Sequence, residues 1–422
     1  MNIFKKKKEK KFLEKVKDFF HKKHFQRKKQ IEYYSFKEVL IIMIFSIGIG
    51  IIMTVSIINL TTGGNYLKNS KELNKLLEVY NTINSKYYGE IDKDKLISSA
   101  ISGMLASVQD PYTTYIDKDA TDAFMQKVKG EYEGIGCEIG LTTSKEIIVI
   151  NIFKDSPSEQ AGLEVGDIIL KVDDQDYQDK THNDVSKYIK NSSNSKIKLT
   201  IKRKEEEKEI TIQRKKIEIP SVTSELIEKN NRKIGYLKIS IFSGVTYKQF
   251  KEKLDYLEKE NIDSLIIDVR DNSGGYLDTV TDICDIFLSK NQVIYKLEDK
   301  EGTTAKYAKN KENRTYPIAV LVNENSASAS EILASAIKES YNGYIVGTKT
   351  YGKGTVQQTL DISDGSMIKY THQKWLTPNG NSIDDIGLEP TNYVELSESY
   401  IKNPTQDNDN QLQEAIKILT DK

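Results

Sequence analysis

The stretch IAVLVNENSASASEILASAI at 318–337 is the strongest indication of the fold of the larger part of the chain. It opens with five apolar residues, Ile318 to Val322, and such a short apolar run predicts a strand buried on both faces. A polar turn follows, and residues 328–341 then carry apolar positions at helical spacing. A buried strand that passes through a short turn into a helix is typical of an α/β layer.

The same order recurs on both sides of this stretch, over residues 234–393. The predicted strands cover 234–241, 265–269, 318–322 and 344–346, and the predicted helices cover 246–260, 276–289 and 328–341. This alternation predicts an α/β core with a parallel or mixed sheet. A short amphipathic helix is predicted at 411–419.

Residues 130–218 have a different character, because short β-rich runs surround one helical patch at 184–189. Strands are predicted at 137–141, 147–152, 167–172, 197–203 and 209–213. The charged run at 202–209 predicts a solvated hairpin tip. Upstream, residues 71–128 have a helical pattern that Asp110-Pro111-Tyr112 interrupts with turn chemistry.

Residues 39–60 carry no charged side chain over 22 positions, and about 20 apolar residues are enough to span a bilayer as a helix. Residues 1–38 before them hold 14 Lys/Arg and 5 Asp/Glu. Because basic flanks favour the cytoplasmic side, the pattern predicts a single-pass anchor in the cell membrane with the rest of the chain outside the cytoplasm. The alternative is a cleaved signal peptide, but its apolar region would be shorter and would end in small residues.

Length and charge narrow the class of protein. The chain has 422 residues, which predicts two or three domains, and its formal net charge is zero. The segment 1–38 contributes +9 and the remainder therefore −9, so no folded domain carries the basic excess expected of a nucleic-acid binder. Cys137 and Cys284 are predicted to be two buried free thiols. Neither has metal-ligand spacing, and no metal or cofactor is expected.

Histidine is scarce, which limits the bases available for catalysis. The four are His21, His24, His182 and His372, and the first two belong to the basic segment. No HExxH, phosphate-binding loop or dinucleotide fingerprint occurs. A Ser-His-Asp triad would have one plausible histidine at best.

Three polar segments remain as candidates for chemistry. Ser328 lies at a strand-to-helix junction, where helix N–H groups suit an oxyanion, although Ser328-x-x-Glu331 also fits a simple capping box. Lys353 stands between two glycines and could act as a general base if burial lowers its pKa; the alternative is an exposed turn lysine. The stretch 268–275, DVRDNSGG, ends in a Gly-Gly turn that frees backbone amides.

Together these segments closely resemble the C-terminal processing (tail-specific) peptidases. The resemblance runs from about Leu73 to the final helix. Its co-linear motifs are GMLASVQDPYTTY at 103–115, GEYEGIGCEIG at 130–140, SPSEQAGLEVGDIILKVD at 156–173, DVRDNSGG at 268–275, VNENSASASEI at 322–332, GTKTYGKGTVQ at 347–357 and LTPNG at 376–380.

This resemblance implies a role for each site residue. Ser328 would be the nucleophile, Lys353 its general base and Gln357 the residue that positions the lysine. The oxyanion hole would consist of the amide of Ala329 and an amide of the Gly274-Gly275 turn. The enzyme would be a serine endopeptidase that works through an acyl-enzyme.

The resemblance also implies that residues 130–218 form a PDZ domain. Gly134-Ile135-Gly136 would receive the carboxylate of a substrate tail, the strand that begins at Cys137 would pair with that tail, and Ile139 would line the pocket for its last side chain. Expected partners are proteins or peptides with apolar C-terminal tails and the membrane, through 39–60, with a homo-oligomer left open and no nucleic acid.

The expected fold is α/β and multidomain: a transmembrane helix, a helical N-terminal region, a β-rich PDZ domain and a crotonase/ClpP-like α/β peptidase core. The expected boundaries are 1–38 (cytoplasmic segment), 39–60 (anchor), 61–128 (linker and helical region), 129–218 (PDZ domain), 219–400 (core) and 401–422 (C-terminal helix).

The sequence departs from the family pattern at two places, and two other functions are possible alternatives. Lys190-Asn191 stands where such PDZ domains often have Arg-Gly, and Trp375 replaces an expected tyrosine and is predicted to pack. One rival is a penicillin-binding-type acyl enzyme, because Ser335-x-x-Lys338 fits S-x-x-K. The other is a PDZ adaptor or chaperone that keeps the fold without cleavage.

Overall fold

The computed structural model describes residues 35–61, 71–177, 179–310 and 314–421. They form two compact units that divide after Lys93. The first unit holds helices α1 Phe36–Thr61 and α2 Lys71–Lys86. By length and composition α1 is a candidate membrane span, and a signal sequence near an N-terminus would have the same character. The predicted basic segment lies outside the described residues except for its last four positions.

The second unit begins at the second residue of helix α3 Lys93–Ala106 and continues with strand β1 Thr114–Ile116 and helix α4 Lys118–Lys129. The side chain of Asp117 accepts a hydrogen bond from the amide of Ala120 and caps α4 at its start. The helical character predicted for 71–128 is therefore present, but β1 was not predicted. Its three residues are too few for periodicity to reveal, and β1 depends on a partner strand far along the chain.

A β-rich domain follows, with a helix beside its sheet. Its elements are β3 Cys137–Leu141, β4 Ile147–Ile152, α5 Pro157–Gln160, β5 Ile168–Val172, β6 Gln175–Asp176, α6 His182–Asn191, β7 Lys196–Arg203 and β8 Glu206–Gln213. The strand order is β3-β4-β5-β7-β8, with β6 paired to β5, so β3 lies at one edge. An antiparallel ribbon of β2 Glu131–Gly134 and β9 Lys215–Glu218 joins the domain to the rest of the unit.

The remaining elements form an α/β core with two sheets. The main sheet comprises β10 Val222–Lys229, β11 Arg232–Ile239, β12 Ser264–Asp268, β15 Ile318–Val322, β16 Tyr344–Gly347 and β19 Asn392–Tyr393, in that spatial order. The second sheet comprises β13 Val293–Asp299, β14 Gly302–Tyr307, β17 Thr355–Asp361 and β18 Met367–Leu376, with β1 added at its edge. The helices are α7 Thr246–Lys259, α8 Leu277–Phe287, α9 Ala329–Ala336, α10 Glu398–Lys402 and α11 Asn410–Thr420.

The apolar strands of the main sheet are buried on both faces, as predicted for 318–322. Ile318 and Val320 pack with α7, α8 and α9, whereas Ala319 and Leu321 point the other way and pack with α11. Only β10 runs antiparallel to its neighbour, so the sheet is mixed, which is one of the two predicted alternatives. Each fully buried Ile or Leu contributes about 1.5–3 kcal/mol. This two-sided burial fixes the strand ends that carry the polar segments.

Two local predictions need correction. The helix predicted at 328–341 ends at Ala336 and continues as a π turn over Ile337–Tyr341. Both cysteines are free, but only Cys284 is buried, whereas Cys137 is half-buried. Cys137 is more accessible than predicted because it begins the edge strand β3.

Candidate active site

Two polar loops lie side by side because β12 and β15 are parallel neighbours. Parallel strands bring the loops at their carboxyl ends to the same edge of a sheet. There the side chain of Asn323 accepts a hydrogen bond from the amide of Asp271 (2.9 Å) and donates one to its carboxylate (2.8 Å). The predicted segments 268–275 and 322–332 are thus joined at this edge.

The three serines of SASAS differ sharply in their surroundings. Ser326 is fully buried and donates to the carbonyl of Val269 (2.8 Å). Ser330 is fully buried and donates to the carbonyl of Asn272 (2.8 Å). Ser328 alone is partly accessible, and it lines a cavity of about 570 Å³. Ser328 is therefore the one serine of the three that a ligand can reach.

The backbone of Ser328 is held in an unusual conformation, with φ +56° and ψ −112°. A non-glycine residue in such a region costs about 1–3 kcal/mol and persists only where its surroundings enforce it. Gly274, at φ +103°, permits the close approach: a Cβ there would lie 2.9 Å from the Cβ of Ser328 and 2.9 Å from the carbonyl oxygen of Ala327. The strain and the tight packing together place the Ser328 side chain at the cavity.

Glu331 joins the serine segment to the lysine segment, a role that the sequence did not reveal. Its carboxylate accepts from the amide of Ser328 (2.7 Å), as the capping-box alternative predicted. It also accepts from the hydroxyl of Thr350 (2.6 Å) and from the amides of Gly352 (2.7 Å) and Lys353 (3.0 Å). Glu331 is fully buried, and this burial raises the pKa of its carboxyl while the hydrogen bonds act in the opposite direction. One carboxylate thus sets the distance between two segments that lie apart in the chain.

Lys353 lines the same cavity as Ser328 and is half-buried. Burial is the main cause that lowers the pKa of its ammonium to about 8. The positive charge of Lys369 lowers this pKa further, while the carboxylates of Asp110 and Glu331 raise it. A lysine with a pKa near 8 is neutral in about a tenth of molecules at pH 7, so it can accept a proton.

The ammonium of Lys353 rests on the ring of Tyr112. The nitrogen lies 4.6 Å from the ring centroid, within the range of a cation–π contact. Among the residues that the structure describes, no hydrogen bond joins the Ser328 hydroxyl to the Lys353 ammonium. Tyr112 belongs to the turn at 110–112, which the sequence identified as a break between helices and as part of the motif at 103–115, without a contact to Lys353.

Gln357 also lines the cavity, but its amide nitrogen faces two threonines. It donates to the hydroxyls of Thr355 (2.9 Å) and Thr371 (3.3 Å). Trp375 is buried, as predicted, and its indole N–H donates to the carbonyl of Lys353 (2.8 Å). Trp375 therefore packs and also fixes the backbone of the lysine turn.

The backbone amides near Ser328 differ in whether they already donate a hydrogen bond. The amide of Gly274 donates to the side chain of Asn272 (2.9 Å) and is thereby occupied. Within the described residues, the amides of Gly275 and Ala329 have no such acceptor, and both residues line the cavity. Gly275 has φ +148°, and a Cβ there would lie 2.1 Å from the carbonyl oxygen of Phe242. Only glycine fits at this approach.

The walls of the cavity combine apolar and polar side chains from several elements. They include Phe124, Met125 and Val128 from α4, Ile332 from α9 and Val356 from β17. A concave apolar site with a few convergent polar groups is the usual form of a binding site. The cavity that Ser328 lines therefore offers both apolar and polar groups to a bound molecule.

The residues predicted to bind a peptide tail lie together at the start of the β-rich domain. Gly134 ends β2, and Ile135 and Gly136 form the turn into β3, where Gly136 has φ +82°. The carbonyl of Ile135 is occupied, because it accepts from both the amide and the hydroxyl of Ser158. Cys137 and Ile139 lie on the edge strand β3, half-buried against the domain core.

The residues of the rival functions, a Ser335–Lys338 pair, a histidine base or a metal site, are not brought together at this cavity in the described part of the chain. Ser335 is fully buried within α9 and donates to the carbonyl of Ile332 (3.1 Å), and the ammonium of Lys338 donates to the carbonyl of Glu389. Neither His182 nor His372 lines the cavity that holds Ser328. In the described part of the chain, no group of three or more His, Cys, Asp or Glu side chains is placed to hold a metal ion.

Comparison with known proteins gives the family. The model of peptidase family S41 matches residues 233–394, a PDZ domain model matches 126–213, and a model described as the activating protease CtpB N-terminal domain matches 55–120. The chain is 37% identical over 351 residues to the carboxy-terminal processing protease CtpB of Bacillus subtilis (strain 168), covering 82% of this chain and 72% of that protein.

A second relative supports the family, and a solved structure supports the fold. The "Probable CtpA-like serine protease" of Staphylococcus haemolyticus (strain JCSC1435) is 36% identical over 381 residues, which cover 88% of this chain and 75% of that protein. A solved structure of a putative S41 protease from Bacteroides fragilis NCTC 9343 has the same fold, with a TM-score of 0.50 at 17% identity and coverage of 79% of this chain and 92% of that one. The chain therefore belongs to the S41 family of serine peptidases, as a C-terminal processing peptidase with a PDZ domain.

Proposed function

We propose that this peptidase is membrane-anchored, recognises protein C-terminal tails through its PDZ domain and cleaves peptide bonds with a Ser328–Lys353 dyad. The observation that carries the proposal is the shared cavity: an accessible serine and a lysine with a lowered pKa line the same space of about 570 Å³. Nucleophilic catalysis needs such a pairing of a hydroxyl with a base that is neutral near working pH.

In the proposed reaction, the neutral amine of Lys353 takes the proton of the Ser328 hydroxyl while the oxygen attacks the scissile carbonyl. The lysine then gives this proton to the leaving amine, and water hydrolyses the acyl-enzyme. Gln357 would position the lysine; since its amide nitrogen donates to Thr355 and Thr371, this role requires a rotation of the side chain or an approach of the lysine. Lys353 would likewise leave the ring of Tyr112 to reach the serine.

The proposed oxyanion hole uses the amides of Ala329 and Gly275. Both residues line the cavity, and Ala329 is the first residue of α9, where helix N–H groups lack intrahelical acceptors. Of the two glycines in the turn, Gly274 is better suited to making room for Ser328, because its own amide donates to Asn272. Losing one oxyanion donor typically costs about 10²–10³ in kcat.

Tail recognition is proposed for the edge of the β-rich domain. Among the described strands β3 pairs with β4 alone, so its other edge can accept a substrate strand. The turn Gly134-Ile135-Gly136 precedes β3, and Ile139 lies along it. This arrangement supports β-augmentation by a peptide whose terminal carboxylate meets backbone amides. The half-buried apolar side chains of β3 favour an apolar last residue.

The anchor and the domain limits are part of the same proposal. Residues 39–60 would span the membrane once, with 1–38 in the cytoplasm and the PDZ domain (129–218) and core (219–400) outside it. The length and apolar character of α1 support the span, and the basic excess before it supports the orientation.

The test uses the full-length chain in detergent micelles and an unfolded protein with an apolar C-terminus. We expect cleavage by the wild-type protein and none by Ser328→Ala or Lys353→Ala, with unchanged thermal unfolding. The matched serine control is Ser382→Ala, an exposed position that does not line the cavity, and it should cleave like the wild type. Cleavage by either dyad variant at the wild-type rate would refute the dyad, and no cleavage by wild type would favour a PDZ adaptor.

A further inference from the structure

The segment before the PDZ domain reaches into the candidate active site. Tyr112 places its ring 4.6 Å from the ammonium nitrogen of Lys353. No carboxylate in the described residues forms an ion pair with this ammonium. The face of the Tyr112 ring is thus the contact that a protonated Lys353 makes in this structure. A cation so placed is attracted by the negative face of an aromatic ring.

The position of Tyr112 is fixed by turn chemistry and by strand pairing. The carboxylate of Asp110 accepts from the amide of Tyr112 (3.0 Å) and from the hydroxyl of Thr113. The hydroxyl of Thr113 also accepts from the amide of Thr371 in β18 (3.1 Å). Immediately afterwards β1 pairs with β18, with Thr114 opposite Lys369. The ring is therefore held against the lysine by contacts on both sides of it.

Four groups from three parts of the chain contribute to the charge environment of Lys353. Lys369 comes from β18, Asp110 and Tyr112 from the segment before β1, and Glu331 from α9. Lys369 and burial favour the neutral amine, whereas the two carboxylates favour the ammonium. The ring face of Tyr112 also favours the ammonium, and it is the one of these groups in direct contact with the nitrogen.

We propose that Tyr112 is a positioning residue for Lys353, whose ring receives the protonated amine after the lysine takes the proton of Ser328. The inference rests on the proposed Ser–Lys chemistry and adds a partner from another part of the chain. The proton moves from the Ser328 oxygen to the lone pair of the Lys353 nitrogen, and later from that nitrogen to the leaving amine. The ring binds the ammonium between these two transfers.

Substitutions of Tyr112 distinguish an effect of its ring face from an effect of simply covering Lys353 with an apolar side chain. Leucine at position 112 keeps an apolar side chain over the amine but has no π face, so the ammonium is less stable. The midpoint of the rise of kcat/KM with pH should then fall by about 0.5–1.5 pH units, and the plateau of kcat/KM should drop about two- to thirtyfold. Phenylalanine retains the ring face and should restore most of both quantities.

The experiment measures kcat/KM against pH for the full-length chain in detergent, with wild type, Tyr112→Leu, Tyr112→Phe and Tyr115→Leu. Tyr115 is a half-buried tyrosine of the same segment with no cation over its ring in the described residues, so its variant is the matched control. In a Ser328→Ala background, competitive acetylation of Lys353 with acetic anhydride across the pH range, read by mass spectrometry, gives the lysine titration without activity.

The two readouts distinguish failure of this inference from failure of the proposed function. A lower midpoint in Tyr112→Leu by both readouts, with rescue by Tyr112→Phe, supports the inference. An unchanged or higher midpoint in Tyr112→Leu, or a phenylalanine variant as impaired as the leucine variant, overturns it. If Lys353→Ala, run in the same series, cleaves like wild type, the dyad itself fails.

Discussion

The substitution Glu331→Gln tests whether one buried carboxylate holds the serine and lysine segments together. The carboxylate accepts four hydrogen bonds, from the amides of Ser328, Gly352 and Lys353 and from the hydroxyl of Thr350, at 2.6 to 3.0 Å. Glutamine has nearly the same shape but only one acceptor oxygen, and its NH₂ group would face donors.

The magnitude follows from the number of bonds lost. Two of the four donors would lose their acceptor. Because a hydrogen bond to a charged group contributes about 1.5–3 kcal/mol, the free energy of unfolding should fall by about 3–6 kcal/mol. Removal of the negative charge also takes away one of the causes that raise the pKa of Lys353. In any folded variant, the pH midpoint of activity should therefore move below that of the wild type.

The assay is denaturant unfolding of the full-length protein in detergent, followed by cleavage of an unfolded substrate at several pH values. The control is Glu324→Gln, because Glu324 is exposed and its carboxylate accepts one hydrogen bond, from Thr348 (3.1 Å). We expect the control to change unfolding by less than about 1 kcal/mol. Wild-type stability and activity in Glu331→Gln would show that this carboxylate does not hold the two segments together.

Two further predictions concern charge and space in the cavity. Lys369→Gln removes a like charge, so the pKa of Lys353 should rise above about 8 and the midpoint of activity should move to higher pH. Lys369→Arg keeps the charge and should retain the wild-type pH profile. An unmoved midpoint in the glutamine variant would contradict this prediction. Gly275→Ala should lower the thermal midpoint and abolish cleavage, because its Cβ would lie 2.1 Å from the carbonyl oxygen of Phe242. Gly302→Ala, at a similar positive φ but in open space, is the control and should cost far less.

The parallel strands β11, β12, β15 and β16 of the main sheet were predictable because their signals are local, whereas β10 and the second sheet of β13, β14, β17 and β18 were not predicted. The apolar run Ile318–Val322 predicted its strand to the residue, and the strands at 137–141 and 147–152 were also predicted with their observed limits. Strand β1 was missed because three residues carry no periodicity, and its pairing partner β18 lies about 250 residues later. The edge position of Cys137 was not predicted either, because it depends on the order of strands in the sheet.

The candidate site was predictable in its residue types but not in its contacts. Spacing and family resemblance selected Ser328 and Lys353, but burial of the neighbouring serines appears only once β12 and β15 lie side by side. Glu331 was predicted as a helix cap, and the sequence could not reveal that the same carboxylate binds the lysine turn. Tyr112 was missed for a similar reason, since the contact joins segments about 240 residues apart.

The pH dependence of kcat/KM for cleavage, compared between wild type and Lys353→Ala, shows whether Lys353 is the general base. We expect wild-type activity to rise with pH through a midpoint near the lysine pKa of about 8, as the amine loses its proton. We expect Lys353→Ala, though folded, to show no cleavage at any pH. A variant that cleaves with the wild-type midpoint would show that another group serves as the base.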